Sequence, residues 1–344
     1  MVKFRGYTSV LSGLLALSLV AAACGGDDNN DGASGASGPA DITGSITVSG
    51  SSTVEPISSL VAELFNDDNP DVSMTVDGPG TGDGFVLFCK GQTDISDASR
   101  PIEPEEAKVC KKAGIDYTEL EIGLDGITVM TSPDNGDVTC LNKGDLYSLF
   151  GPESDGFSNW SDADSLAKEV DGNDSFPDTS LEITAPGEES GTYDAFIELA
   201  GIEDTALAQG VPEDQAAALR SDYQSSANDN VIIQAMEGSP GALGFVGFAF
   251  ADQAGDQIKE IQVDGGDGCV APSGDTISDG SYPLSRSLYI YVNNAKAASS
   301  DAVKAYVDMY VSSTGLQDAV TGADYIALPT ERQQATADAW SSMG

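Results

Sequence analysis

Two rhythms of apolar residues alternate over the first third of the chain. Ser45-Ile46-Thr47-Val48 has the β-branched alternation of a strand. After Ser49-Gly50-Ser51-Ser52-Thr53, the residues Val54, Ile57, Leu60, Val61, Leu64 and Phe65 recur at the spacing of one helical face. Asn69-Pro70 ends that helix. Val72 to Val76 predicts a second strand, Gly78-Pro79-Gly80-Thr81-Gly82-Asp83-Gly84 a polar turn, and Phe85-Val86-Leu87-Phe88 the start of a short helix. Asp94-Ile95-Ser96 predicts a third strand. It runs into Asp97-Ala98-Ser99-Arg100-Pro101 and a helix opened by Pro104-Glu105-Glu106, proline first and acidic in its first turn. Strand, turn and helix in repetition predict an α/β fold with a parallel or mixed sheet. In such sheets ligands sit beyond the carboxyl ends of the strands, where these polar turns lie.

The pattern continues differently downstream. Ile127 to Thr131 predicts a strand leaving the first unit, and Leu181 to Thr184 another, followed by the turn Pro186-Gly187-Glu188-Glu189-Ser190-Gly191-Thr192. Ala195, Phe196 and Leu199 then begin a helical stripe. Ala242 to Val246 and Leu288 to Val292 are further strands, and a helix is expected over about 301–312. We expect a first lobe over 44–126, a second over 127–270 and a return to the first over 271–344, with a closable cleft between lobes. Tyr289, Tyr291, Trp160 and Trp340 read as packing residues, and Arg286 as a structural ion-pair partner.

The N-terminus reads as a signal peptide over 1–23. Lys3 and Arg5 precede the apolar run Val10–Ala23, and Ala21-Ala22-Ala23-Cys24 is a small-residue cleavage site ending in cysteine. A cysteine there is similar to the bacterial lipoprotein signal, so Cys24 is the expected lipidation site, with 24–43 as a Gly-, Asp- and Ser-rich tether. Plain secretion is the alternative. With Cys24 lipidated, the chain would be extracytoplasmic and held at the cell membrane by lipid alone.

The formal net charge is −41, with no histidine among 344 residues. Such a surface is a poor partner for nucleic acid. It also cannot draw in an anion from a distance, so any anion site must be local. Cys89, Cys110, Cys140 and Cys269 allow two disulfides in three connectivities. A local Cys89–Cys110 staple and a long-range Cys140–Cys269 bridge are the expected pair. A zinc site would lack histidine and a close cysteine pair.

Four turns carry the candidate chemistry: Ser51-Ser52-Thr53, Gly80-Thr81-Gly82, Ser99-Arg100 and Ser190-Gly191-Thr192. Each supplies hydroxyls, free backbone N–H groups or both, and a helix start carries partial positive charge. One such turn alone is ordinary helix capping. The set, with Asp125-Gly126, Gly241-Ala242-Leu243-Gly244-Phe245 and Tyr282-Pro283-Leu284-Ser285-Arg286 in this order, resembles the phosphate-binding proteins of high-affinity phosphate ABC transporters. The resemblance spans most of the chain. It implies a two-lobed periplasmic-binding-protein fold of type II, a monomer that closes on inorganic phosphate and delivers it to ABC transporter permease subunits, without a cofactor or metal.

Carried over by position, the resemblance assigns donors to Ser52, Thr53, Thr81, Ser99, Ser190, Gly191 and Thr192. In the best-known branch an aspartate stands at the Ser99 position and accepts the ligand's proton, and an arginine stands where Pro186 is here. The cation therefore falls to Arg100, and the proton acceptor to Asp125, then Asp83, then Glu189. Alternative readings are capture of sulfate or molybdate, phosphate sensing or adhesion at the cell surface, and a serine hydrolase. The last lacks a histidine base. If Cys24 is the anchor, replacing it should release the protein from membranes in a fractionation assay while leaving its anion affinity unchanged; retention would require another anchor.

Overall fold

The computed structural model describes residues 42–343 apart from Asp174 and Glu189. The expected signal peptide, Cys24, nearly all of the proposed tether and the candidate Glu189 lie outside the described residues. The first third follows the sequence pattern closely: β1 (Gly44–Gly50), α1 (Glu55–Asp68), β2 (Val72–Asp77), α2 (Thr81–Phe88), β3 (Ile95–Ala98) and α3 (Pro104–Ala113). Strands β1, β2 and β3 are parallel, with β1 between the other two. The turns at Ser51, Gly80 and Ser99 therefore emerge at one end of the sheet.

The fourth strand departs from expectation. Ile127–Thr131 is only the last third of β4 (Tyr117–Thr131). The remaining strands are β5 (Cys140–Asn142), β6 (Glu182–Ala185), β7 (Gln224–Ser225), β8 (Ala242–Gly247), β9 (Lys259–Glu260), β10 (Gln262–Asp264), β11 (Cys269–Val270) and β12 (Ser285–Asn293). The main sheet runs β2-β1-β3-β12-β4-β8-β6-β7, with β9 also on β4. Residues 117–126 of β4 pair antiparallel with β12, and Ile127–Thr131 pairs with β8. One strand thus serves two halves of the sheet and changes partner at Gly126/Ile127. The switch is braced from the side: the Tyr282 hydroxyl donates to the Ile127 carbonyl at 2.8 Å, Ile127 N–H donates to the Leu284 carbonyl at 2.9 Å, and Leu124 N–H to the Ile326 carbonyl at 2.9 Å.

Buried side chains form two large cores, one on each side of that switch. Ile46, Val48, Ile57, Val61, Phe65, Leu288, Ile290 and Tyr306 belong to one. Phe150, Trp160, Phe196, Phe245, Ile277, Tyr282 and Leu284 belong to the other. This is a two-lobed mixed α/β fold. In the second core, Phe196 of α6 (Gly191–Ala200) stacks on Phe245 of β8 with ring centroids 3.9 Å apart, and Phe150 meets both rings edge-on. Between α3 and α6 lie α4 (Lys143–Phe150) and α5 (Asp164–Glu169). Disulfides join Cys89 to Cys110, between α2 and α3, and Cys140 to Cys269, across the small sheet β11-β10-β5. Both pairings match the sequence reading. Trp160 donates from its indole N–H to the Gly241 carbonyl at 3.0 Å, so its burial leaves no orphan donor.

Among the buried polar groups left without a hydrogen-bond partner, one is a carboxylate. Asp97 is fully buried on β3, and neither carboxylate oxygen has a hydrogen-bond partner among the described residues. Burial pushes its carboxyl up to about 7; Glu55 and Asp77 add to the rise, and the neighbouring Ser58 hydroxyl opposes it. The unfolded carboxyl titrates near 3.8, so between 3.8 and about 7 the folded state holds the proton more tightly. The contribution of this group to stability is complete below the unfolded value and is lost as pH rises through the folded one. Asp97→Asn should therefore raise the melting temperature more at pH 8 than at pH 5, in thermal unfolding followed by circular dichroism. An equal shift at both values would show that Asp97 does not titrate this way.

Candidate functional site

The Ser51–Thr53 turn follows β1 and feeds α1. Ser51 Oγ accepts from Thr53 N–H at 3.2 Å, and the Ser51 carbonyl accepts from Glu55 N–H at 3.0 Å, which starts the helix. The other turns close around it. Ser51 N–H donates to the Asp97 carbonyl at 2.9 Å, and Gly80 N–H to the Gly50 carbonyl at 2.8 Å. Gly84 lets α2 approach β1: a Cβ there would stand 2.5 Å from the Gly50 Cα. Ser99 and Thr81 are joined through their hydroxyls at 3.0 Å, and Ser99 N–H donates to Thr81 Oγ1 at 3.2 Å. Thr53 and Ser99 are buried, Thr81 and Ser52 half-buried, and Asp83 exposed.

The fourth turn comes from the other core and meets the first. Ser190 is the N-cap of α6, its hydroxyl accepting from Thr192 N–H at 3.2 Å. That oxygen still has its own proton to donate. Ser52 Oγ donates to Asp194 Oδ2 of α6 at 2.9 Å. Gly191 faces Ser52 and Thr53 so closely that a Cβ would lie 3.3 Å from the Ser52 carbonyl and from the Thr53 Cα. Thr192 and Asp125 line a cavity of about 50 Å³ together with Phe248 and Tyr325. Larger hollows, such as one of about 410 Å³ beside Asp194 and Glu198, are open surface features.

The guanidinium among these groups is that of Arg286. Arg286 and Asp125 are direct partners in the β12–β4 register. Arg286 donates through Nε to Asp125 Oδ2 at 3.3 Å, through Nη2 to Thr53 Oγ1 at 3.0 Å, and through Nη1 to Glu198 of α6. Burial pushes the Asp125 carboxyl above the usual carboxylate range; Arg286 opposes this and Glu198 adds to it.

Arg100 stands at the edge. Its Nη1 and Nη2 make a bidentate pair with Glu106, both at 2.9 Å, and its guanidinium lies 5.7 Å from the centroid of the Phe85 ring. Nη2 is 4.0 Å from where a Cβ on Gly82 would be, so it borders the Thr81 turn. Hydrogen bonding to Glu106, together with the charges of Glu106, Glu103 and Glu198, raises its already high pKa against the effect of burial. The sequence reading placed the cation here and gave Arg286 only structural pairing. Arg286 does pair, and the pairing is what holds it against Thr53. The usable signal was its place at the start of an aromatic-rich strand after Tyr282-Pro283-Leu284-Ser285, with Asp125-Gly126 opposite; the register between strands so distant in sequence was not legible.

Among the described residues no cluster of three or more carboxylates or cysteines is placed to hold a metal ion, and no helix is long and apolar enough to cross a membrane.

A family model described as a PBP superfamily domain matches residues 35–314. The chain belongs to the PBP superfamily. Within it, the chain is 36% identical over 296 residues to Protein SphX of Synechocystis, covering 85% of this chain and 81% of that protein. It is 33% identical over 321 residues to the phosphate-binding protein PstS of Staphylococcus saprophyticus, covering 92% and 89%. A solved PBP-type structure, a possible phosphate binding protein from Planctomyces limnophilus, superposes with a TM-score of 0.78 at 34% identity, covering 88% of this chain and 99% of that one. An ABC-type phosphate transport receptor from Vibrio cholerae shares the PBP fold at a TM-score of 0.58 and 24% identity, covering 83% and 100%.

The close face between α6 and the Ser52–Thr53 turn gives a direct test. Gly191→Ala adds a methyl where 3.3 Å separates backbones, so the two segments must part by a few tenths of an ångström. Anion affinity should fall several-fold in calorimetry, with the melting temperature nearly unchanged. Unaltered affinity would place the α6 start outside the site.

Proposed function

We propose that this protein captures inorganic phosphate outside the cytoplasm, between its two lobes, and delivers it to the permease subunits of a membrane ABC transporter. The observation that carries the reading is the meeting of Thr53, Arg286, Asp125 and the start of α6 at one point, where β4 passes from one core to the other. A tetrahedral oxyanion needs many donors and little else. Here Thr53, Ser190, Thr192 and one partner of the Thr81–Ser99 pair offer hydroxyl protons, Ser52 can add its own on leaving Asp194, and Gly191 and its neighbours offer N–H groups at a helix start. Arg286 offers fork geometry and a fixed charge. Arg100 is a second cation at the rim.

Micromolar binding requires about 8 kcal/mol. Charge-assisted hydrogen bonds contribute roughly 1.5–3 kcal/mol each net, so this donor set is sufficient after desolvation and lobe closure. Asp125 is the proton acceptor in this reading. Hydrogen phosphate carries a proton at neutral pH and sulfate does not, so a buried carboxylate favours the first and repels the second. Its raised pKa supports that role, and the likeness to the phosphate-binding protein PstS over most of this chain supports phosphate as the ligand. Relatives of this kind and the absence of histidine favour binding over catalysis. The first lobe spans 44–126 and the second 127–270. Ile277, Tyr282 and Leu284 pack in the second core, so we place the return to the first at β12. Two disulfides favour an oxidising compartment, and Cys24 is the proposed lipid anchor.

Calorimetric titration with phosphate and sulfate tests the reading. Phosphate should bind at micromolar or tighter affinity and sulfate at least a hundredfold more weakly. Arg286→Ala should weaken phosphate by two orders of magnitude or more, because a dehydrated anion loses its charged partner; Arg100→Ala should cost less. Preference for sulfate, or an Arg286→Ala variant that binds as the parent does, would overturn the assignment.

A further inference from the structure

Glu198 stands where an anion is wanted. It projects from α6 in the second lobe, yet its carboxylate pairs with Arg286 on β12 of the first. Its charge also reaches Arg100, at the rim of the Thr81 turn. A single carboxylate in the last turn of α6 therefore pairs with Arg286, the arginine that donates to Thr53, and acts on Arg100 through its charge. The Arg286 side chain is 8% exposed and the Glu198 side chain 51%, so one partner is fixed and the other can leave.

The charge balance is unusual for a structural bridge. Arg286 already has a buried partner in Asp125, whose side chain is 7% exposed, and one carboxylate neutralises one guanidinium. Glu198 brings the group to a net negative charge, and Asp194, four residues earlier on the same helix, holds Ser52. Release of Glu198 has an outlet, since it borders the open hollow of about 410 Å³ lined also by Asp194, Ile197, Gly201, Glu203 and Asp204. Three further carboxylates line that hollow, and their repulsion favours Glu198 on the arginine.

We propose that Glu198 is an internal competitor that occupies the anion's place on Arg286 and is displaced into the hollow when phosphate binds. The inference rests on the phosphate reading given above and adds a residue that sets affinity. Occupation of Arg286 by a resident carboxylate lowers the apparent affinity by the fraction of time the arginine is free. It also holds the lobes together without ligand, through the same bridge.

The test is calorimetric titration of inorganic phosphate into the parent chain, Glu198→Gln and Glu198→Ala, with circular dichroism to confirm folding. Both variants should bind phosphate at least tenfold more tightly, and the unliganded variants should melt at or below the parent's temperature. A merely structural bridge would give weaker binding on its removal, because Arg286 would lose its orientation. Equal or weaker binding by both folded variants beside a parent that binds phosphate would overturn the inference alone. A parent that binds no phosphate would overturn the reading on which it rests.

Discussion

The cross-strand pair of Arg286 and Asp125 is the constraint from which the rest of the site follows. Both side chains are nearly buried, and a buried ion pair is retained only where geometry and further hydrogen bonds compensate for lost hydration. Here the register of β12 on β4 sets the geometry, and Thr53 accepts one of the remaining guanidinium donors. The pair sits one residue before the position where β4 exchanges β12 for β8. A charge at that point touches elements of both cores while its own backbone stays fixed.

Such an arrangement suits a protein whose overall charge opposes its ligand. With a formal net charge of −41, the long-range field repels anions. Screening confines that repulsion to about 10 Å at ordinary ionic strength, so what decides capture is the short-range pattern of oriented donors. Those donors come from loops anchored by backbone hydrogen bonds, including Ser51 to Asp97 and Gly80 to Gly50. Loops held in this way have less freedom to lose on binding than unanchored ones.

Much of the fold was legible because its first third obeys simple periodicities. Ile57, Val61 and Phe65 fall on one face of α1, with Val54 at its N-cap, and the polar turns fall at strand ends. The first two-thirds of β4 was not legible. Glu119 and Glu121 interrupt its apolar pattern, and in the fold they are consumed by Tyr291, which donates to Glu119 at 2.6 Å, and by Arg332, which pairs with Glu121. A strand whose polar positions are satisfied by distant partners has no local signature. The same holds at the site: hydroxyl-rich turns announce themselves, whereas the surroundings of the two arginines do not, since Arg100 is paired with Glu106 and Arg286 is aligned by Asp125 from a strand distant in sequence.

The shared strand also bears on how the chain reaches its native state. Asp125 and Arg286 are 161 residues apart, and the first core includes Leu288, Ile290 and Tyr306 beside Ile46 and Val48. The N-terminal lobe therefore cannot finish assembling while the ribosome still holds the last quarter of the polypeptide. Closing so long a loop is slow compared with forming local helices. A nascent chain of this topology stays incompletely structured until synthesis is nearly over, a state that is easily threaded through a narrow channel and, for the same reason, in need of protection from its own kind.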